Sequence, residues 1–280
     1  MTFLEKLQSV VGFITPGLCV GLDPDPSRLP RLYRPDLSGI SDFLQEVIRQ
    51  SAPFAAAYKV NTAFYEALGS KGWRLLEEIA ETLPENAIRI ADAKRGDIGN
   101  TAERYAEAFL HRLPFDAITL NPYLGGDSLQ PFLNNPEKGG FVLALTTNPG
   151  SKDLQYSSDG KEKLYQRVLK LISFWAPNGN LGAVVGATHP AELLEIRAAF
   201  PSLPLLIPGV GVQGGDLQAI TKMPYGERFG CVLVNVSRTI LYADENRQFP
   251  DNIRKACERY VNALKADSNP VRREPSDAIR

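Results

Sequence analysis

Short runs of apolar and β-branched residues recur along the chain and alternate with longer segments in which apolar residues return every three or four positions. Several short runs are apolar almost throughout, which is typical of strands buried on both faces of a parallel sheet. The longer segments carry the apolar stripe of an amphipathic helix. The pattern predicts strands at 18–23, 54–61, 87–94, 116–122, 141–147, 181–188, 203–211 and 231–237, and helices at 40–51, 71–83, 98–111, 127–134, 161–175, 190–199, 214–222 and 250–266.

This alternation indicates the fold class. Eight strand–helix units in about 250 residues match a (β/α)8 TIM barrel of the α/β class in count and in size. A doubly wound open sheet is the competing interpretation, but it usually needs fewer strands at this length. No internal repeat or linker divides the chain. We therefore expect one domain, residues 1–265, followed by a polar tail, 266–280, that frays.

Composition narrows the class of protein. Lysine and arginine number 31 and aspartate and glutamate 32, so the net charge is −1, and no basic excess points to nucleic acid or an anionic membrane. The three cysteines are widely separated, and the two histidines are too few for a histidine-based metal centre. No apolar run is long enough to span a bilayer. We expect a soluble cytoplasmic protein without a metal; an oxygen site built from aspartates stays open.

Charged residues end three neighbouring strands. Asp23 closes LCVGLD, Lys59 lies in FAAAYKVN, and Asp92 and Lys94 end AIRIADAK. Since strand side chains alternate in direction, Asp92 and Lys94 point the same way. A single charge at a strand end usually caps a turn or reaches water, but two of each sign at one rim can compensate one another. Such a group is costly to bury for stability alone, and chemistry explains it better.

Asp97 follows Lys94 by three residues and has two interpretations. It can belong to the same charged group, or it can cap the helix predicted at 98–111 by accepting a hydrogen bond from a free backbone N–H. Ser41 is a candidate cap of the helix around SDFLQEVI for the same reason.

A glycine-rich segment, IPGVGVQGGD at 207–216, suggests a phosphate site. It formally matches a dinucleotide fingerprint, but the next strand ends in Ser237 and Arg238 instead of an acidic residue. In a barrel, the loops after the seventh and eighth strands commonly bind phosphate. Gln213 could donate from its amide and Arg238 from a two-pronged guanidinium. The plainer alternative is a flexible turn and a surface arginine.

The stretch DAKRGDIGNTA resembles the Asp-x-Lys-x-x-Asp signature of orotidine 5'-phosphate decarboxylases, specifically the longer bacterial branch, the type 2 subfamily. The resemblance continues through GLDPD, YKVNTAFYE, NPYLGGDSL, TTNPGS, VVGATHP, PGVGVQGGD and VNVSRTI. It implies a (β/α)8 barrel and decarboxylation of orotidine 5'-phosphate to UMP and carbon dioxide, the last step of de novo UMP biosynthesis. It also implies a homodimer that needs no cofactor.

Carried over by position, the resemblance assigns catalytic roles. Lys94 is similar to the lysine that protonates C6 of the pyrimidine, and Asp92 to the aspartate set against the substrate carboxylate. Lys59 and Asp23 resemble the partners of the ribose hydroxyls. Asp97 resembles an aspartate that completes the neighbouring subunit's site.

The remaining assignments concern binding. Thr147 stands where the family reads the pyrimidine, although a shift of one residue would give that role to Thr146. The other implied binding residues are Ile98 and Thr101 at the dimer interface, and Pro208, Gly209, Gly211, Gln213, Ser237 and Arg238 around the phosphate.

Two alternatives stay open. One is a magnesium-dependent sister barrel, a hexulose-phosphate synthase or keto-gulonate-phosphate decarboxylase, which needs a further acidic ligand. The other is a barrel that binds phosphoribosyl compounds without catalysis. RGDIGNTA and PGVGVQGGD fit the nucleotide enzyme better.

Overall fold

Eight parallel strands form a closed barrel in which each strand pairs with its neighbours in the sequence and the last strand pairs with the first. The computed structural model describes residues 1–12, 15–176, 178–211, 215, 217–226, 228–243 and 249–266. The predicted (β/α)8 barrel is confirmed. The strands are β1 (Gly17–Gly21), β2 (Ala55–Asn61), β3 (Ile88–Arg95), β4 (Ala117–Leu120), β5 (Gly139–Leu145), β6 (Leu181–Val185), β7 (Leu205–Ile207) and β8 (Val232–Val236).

Helices surround the barrel, and each predicted helix has a counterpart; the bounds match for 190–199 and are shifted for the others. The segment predicted as one helix at 98–111 is an α-helix that continues as a π-helical turn, Glu107–Arg112. The helices are α1 (Phe3–Val11), α2 (Leu37–Ser51), α3 (Thr62–Glu66), α4 (Gly69–Thr82), α5 (Gly99–Ala106), α6 (Gln130–Leu133), α7 (Ser151–Leu154), α8 (Leu164–Trp175), α9 (Pro190–Ala199), α10 (Leu217–Thr221), α11 (Arg238–Leu241) and α12 (Phe249–Ala266).

Strand β7 is much shorter than the predicted 203–211. It stops at Ile207 because Pro208 has no N–H to donate to a neighbouring strand, and Gly209 has a φ of 96°, outside the extended region. The early stop frees the following backbone to line the mouth of the barrel.

The caps of two helices differ from those expected. The N-cap of α2 is Asp36, whose side chain accepts from the N–H of Gly39, so Ser41 lies inside the helix instead of starting it. The N-cap of α5 is Ile98, and its side chain makes no capping hydrogen bond. The carboxylate of Asp97 accepts from the adjacent N–H of Ile98, at 2.8 Å.

Helix α1 was not predicted, and it closes the amino-terminal end of the barrel. Thr2 and Glu5 form a capping box at its start. Phe3 and Leu7 are buried, and the Phe3 ring meets that of Phe141 edge-on at 6.1 Å. They join an inner core cluster with side chains from the strands, such as Cys19 of β1. Chemistry is therefore left to the opposite, carboxyl-terminal end.

At the carboxyl end of the sequence, α12 runs to Ala266, one residue past the predicted domain boundary at 265. The rest of the predicted tail lies outside the described residues. Within the part of the chain that the structure describes, no helix is both long and apolar enough to cross a bilayer.

Candidate active site

A cavity of about 800 Å³ opens at the carboxyl ends of the strands. This is the end at which TIM barrels carry their chemistry. Strands β2 to β8 each contribute at least one lining residue, and β1 contributes through the loop that follows it. The lining residues are Asp23, Asp25, Arg28, Lys59, Asn61, Phe64, Asp92, Lys94, Thr119, Leu143, Thr146, Thr147, Asn148, Gln155, Val184, Leu206, Pro208, Gly209, Val210, Asn235, Ser237, Arg238, Thr239 and Tyr242.

The four charges predicted at the strand ends come together on one side of this cavity. Asp92 lies between two lysines: its Oδ2 accepts from Lys59 Nζ at 2.7 Å, and its Oδ1 from Lys94 Nζ at 2.6 Å. Lys59 Nζ also lies 3.9 Å from Asp23 Oδ1. The charges therefore alternate in sign along the row Asp23, Lys59, Asp92 and Lys94.

The members of this row differ in their access to the cavity. The side chains of Lys59 and Asp92 are 6% and 11% exposed, whereas that of Lys94 is 48% exposed. Lys94 is thus the ammonium group that a ligand in the cavity can reach directly.

Burial and neighbouring charges shift the pKa values of Asp92 and Lys59 in opposite directions. Burial by itself would raise the pKa of Asp92, but the ammonium groups of Lys59 and Lys94 outweigh it and hold the pKa well below its usual range. Burial would lower the pKa of Lys59, and Asp23 and Asp92 outweigh it and raise the pKa. Asp92 is therefore a carboxylate and Lys59 an ammonium at neutral pH.

The backbone at Lys94 is strained. Its φ is 48°, and Lys94 is the one non-glycine residue with a left-handed φ in the described part of the chain. The pairing of β3 with β4 shifts register between Ala91 and Arg95, so the regular strand is interrupted here. Non-glycine residues in this conformation persist only where their surroundings fix them, and such residues cluster at functional sites.

Thr119 on β4 fixes this conformation, and sequence reasoning missed it. Its Oγ1 accepts from the N–H of Lys94 at 2.9 Å and donates to Asp92 Oδ1 at 3.0 Å. One hydroxyl thus ties the strained backbone to the central carboxylate. A threonine in a β-branched strand is indistinguishable from an ordinary strand former, so only the register of β3 and β4 reveals the contact.

The predicted phosphate residues lie across the cavity from Lys94. Pro208, Gly209 and Arg238 line it from the loops after β7 and β8. Ser237 lies between the two groups, since its Oγ donates to Asp23 Oδ2 at 2.8 Å. Gly211 does not line the cavity. Gln213 lies outside the described residues.

Arg28 and Tyr242 line the cavity near the same loops and were not predicted. The guanidinium of Arg28 stacks on the Tyr242 ring, 4.3 Å from its centroid, and the hydroxyl of Tyr242 accepts from the N–H of Asp25 at 2.8 Å. The β1 loop is thereby attached to the segment that follows Arg238. The remaining unpredicted lining residues with polar side chains are Asp25, Asn61, Asn148, Gln155, Asn235 and Thr239.

Both candidate threonines line the cavity, but their hydroxyls differ. Oγ1 of Thr146 donates to Asn148 Oδ1 at 2.6 Å and accepts from Gln155 Nε2 at 2.8 Å, so protein groups occupy it. Thr147 follows directly, and its methyl group packs on Gly186 at the end of β6.

Asp97, Ile98 and Thr101 lie apart from this cavity. Among the described residues, those that line it include none of the three. Ile98 is 62% exposed, and Thr101 is exposed as well. These residues stand on the outer surface at the start of α5.

Across the described ranges, no group of three or more histidine, cysteine, aspartate or glutamate side chains is arranged to hold a metal ion.

Comparison with known proteins agrees with this geometry. A family model described as "Orotidine 5'-phosphate decarboxylase / HUMPS family" matches residues 16–249. The chain is 44% identical over 270 residues to an orotidine 5'-phosphate decarboxylase of Dehalococcoides mccartyi (strain CBDB1), covering 94% of this chain and 97% of that protein.

Solved structures give the same result. Leishmania donovani OMP decarboxylase superposes with a TM-score of 0.81 at 37% identity, covering 95% of this chain and 99% of that one. Leishmania donovani UMP synthase has the same TM-score at 38% identity, and there the match covers 57% of the longer chain. From its sequence and its barrel alike, this chain belongs to the orotidine 5'-phosphate decarboxylase / HUMPS family.

Proposed function

We propose that this protein decarboxylates orotidine 5'-phosphate to UMP and carbon dioxide, the last step of de novo UMP biosynthesis. The observation that carries the proposal is the row Lys59–Asp92–Lys94 at the mouth of the barrel, with distances of 2.7 and 2.6 Å. It combines a fixed carboxylate with an accessible ammonium group in one cavity. The D. mccartyi relative is named for this reaction.

The chemistry explains why a reachable ammonium group is needed. When the bond from C6 to the carboxylate carbon breaks, its electron pair stays on C6 and carbon dioxide leaves. The resulting carbanion has no electron sink in the ring, so the site must stabilise it electrostatically. Lys94 Nζ would face C6, balance the developing charge and transfer one proton to the carbon.

Asp92 would act on the substrate before this step. Its depressed pKa keeps it ionised, so it repels the substrate carboxylate more than the neutral product. Its second role is to hold Lys94 beside C6 through the 2.6 Å contact. Lys59 and Asp23 extend the row toward the place where the ribose hydroxyls would bind.

The phosphate would bind at the far end of the cavity. Arg238 would supply a permanently charged, two-pronged donor, with Pro208 and Ser237 beside it and Gln213 as a further donor. Binding energy from this remote group can orient the ring at Lys94. We favour Thr147 as the residue that hydrogen-bonds the pyrimidine, because the hydroxyl of Thr146 is already hydrogen-bonded to Asn148 and Gln155.

The direct test follows the loss of orotidine 5'-phosphate absorbance with purified protein. We expect turnover to UMP, and we expect it to persist after treatment with EDTA. No turnover would overturn the proposal, and turnover that EDTA abolishes would favour the magnesium-dependent sister enzymes.

We further propose a homodimer that works in the cytoplasm, in which Asp97, Ile98 and Thr101 of each subunit complete the partner's site. Support comes from their position outside their own cavity and from the exposed apolar side chain of Ile98. A contact between subunits at the start of α5 would remove the apolar surface of Ile98 from water.

Mixing variants tests the shared site. Lys94→Ala and Asp97→Ala should each be inactive alone, and activity should return in the mixture, because a heterodimer regains one intact site. Subunit exchange is checked independently with tagged copies. Exchange without returned activity would contradict the shared site and leave the decarboxylase assignment standing.

A further inference from the structure

Thr146, the first residue after β5, has all of its polar groups held by other side chains. Its N–H donates to Gln155 Oε1 at 2.8 Å, and its hydroxyl contacts Gln155 and Asn148. Its carbonyl oxygen lies 2.9 Å from Nε2 of His189. Where strand pairing ends, side chains thus take over the backbone's hydrogen bonds.

His189 is held in turn by residues farther from the cavity. Its Nδ1 lies 3.2 Å from the hydroxyl of Tyr156, which donates to Glu192 Oε1 at 2.7 Å. Because a carbonyl oxygen only accepts, Nε2 carries the hydrogen in the contact with Thr146. Burial and the bond to Glu192 raise the pKa of Tyr156, so its hydroxyl stays protonated. A continuous chain of contacts therefore joins Glu192 on α9 to the cavity wall.

Packing at β6 supports the same wall. A β-carbon on Gly186 would lie 2.6 Å from the methyl carbon of Thr147. Because glycine has no side chain, the Thr147 methyl group can pack closely on the backbone of Gly186. The N–H of Gly186 donates to the carbonyl of Leu145, at 2.8 Å. Thr146 and Thr147 are thereby braced from the β6 side, whereas the phosphate residues follow β7 and β8.

We propose that His189 and Tyr156 are positioning residues that fix the Thr146–Thr147 wall, and that they set affinity for the base of the nucleotide without affecting that for its phosphate. The inference rests on the proposed function, because it requires a pyrimidine nucleotide in the cavity. Neither residue lines the cavity, so each acts through Thr146.

The experiment compares two ligands by calorimetry, UMP and ribose 5-phosphate, which lacks the base. His189→Ala should weaken UMP binding about tenfold, as expected for one partly buried hydrogen bond and the carbonyl left without a partner, and change ribose 5-phosphate binding by less than about twofold. His189→Gln keeps a side-chain N–H donor and should recover most of the UMP affinity.

Two further variants make the result decisive. His111, the chain's other histidine, is exposed on the π-helical turn, and His111→Ala should change neither affinity. Tyr156→Phe removes the hydroxyl that contacts His189 and keeps the ring; it should weaken UMP binding about threefold, within the range for loss of one hydrogen bond. If His189→Ala does not fold, Tyr156→Phe still tests whether UMP binding weakens while ribose 5-phosphate binding does not.

Equal weakening of both ligands in His189→Ala and Tyr156→Phe, or no change in either, would overturn the positioning role. Turnover of orotidine 5'-phosphate by the wild-type protein distinguishes failure of the proposed function from failure of the positioning role. A wild-type protein that does not consume orotidine 5'-phosphate overturns the proposed function, whereas unchanged variants of an active wild type overturn only this inference.

Discussion

Two buried aspartates at opposite ends of the barrel have similar partners. Asp92, at the carboxyl end of β3, accepts from Lys59 and Lys94. Asp116, just before β4 at the amino end, accepts from Lys6 Nζ at 2.7 Å and lies 3.4 Å from Nε of Arg89. Each is a carboxylate between two cations, so this pairing alone does not distinguish chemistry from stability.

The surroundings of the two aspartates do distinguish them. Lys6, on the helix that closes the barrel, is 16% exposed, whereas Lys94 is 48% exposed to an open cavity. Asp116 also accepts from the backbone N–H of Arg89 at 2.8 Å and so joins two strands, while the strained φ lies beside Asp92. Access and stored strain, more than charge pairing, mark the functional end.

The largest effect should separate the two lysines. Lys94→Ala should lower kcat about 10³-fold or more, since it removes the proposed proton donor, while UMP still binds measurably. Lys6→Ala should leave kcat near the wild-type value and reduce the free energy of unfolding. Steady-state kinetics and urea denaturation measure both quantities. Substantial decarboxylation by Lys94→Ala would remove Lys94 from this role.

Replacing each aspartate by asparagine should affect mainly stability at Asp116 and mainly kcat at Asp92. Asp116→Asn should cost about 3 kcal/mol of unfolding free energy, because two partly buried cations lose their carboxylate, and kcat should be retained. Asp92→Asn should lower kcat by at least about 10²-fold. Its loss of stability should be smaller, because Lys94 can turn toward the cavity and the buried Lys59 keeps Asp23 as a partner at 3.9 Å. Equal stability losses would show that the two ends are energetically alike.

The smallest expected effect is on the free energy of unfolding at acidic pH. The lysines hold the pKa of Asp92 below its usual range, so its contribution to stability is present above the unfolded pKa, about 3.9, and is lost as the pH falls toward the folded value. Below about pH 4, wild-type unfolding free energy should fall faster than that of Asp92→Asn, by at most about 1.4 kcal/mol per pH unit. Parallel slopes in urea titrations at successive pH values would contradict this.

Much of the fold was predictable because buried parallel strands are apolar throughout and their helices are amphipathic. The alternation of strand side chains also indicated that Asp92 and Lys94 would share one side. It did so for an incomplete reason, since the strand is interrupted at Lys94 and the left-handed φ helps to set the direction of the ammonium group.

Features that depend on distant partners were missed. The capping box of Thr2 and Glu5 was visible in the sequence, but the closure of the barrel by α1 depends on contacts such as Phe3 with Phe141. The hydroxyl of Thr119 gains its role only through the register between β3 and β4. The wrong cap assigned to Ser41 has a local cause, because Asp36 offers a cap five residues earlier.

The left-handed backbone at Lys94 has a consequence for protein engineering. Glycine adopts such a φ without steric cost, so Lys94→Gly should relieve about 1 kcal/mol of strain while deleting the ammonium group that faces the cavity. A directed-evolution screen that rewards heat resistance alone would not penalise loss of this ammonium group, so selection for thermostable variants must include turnover.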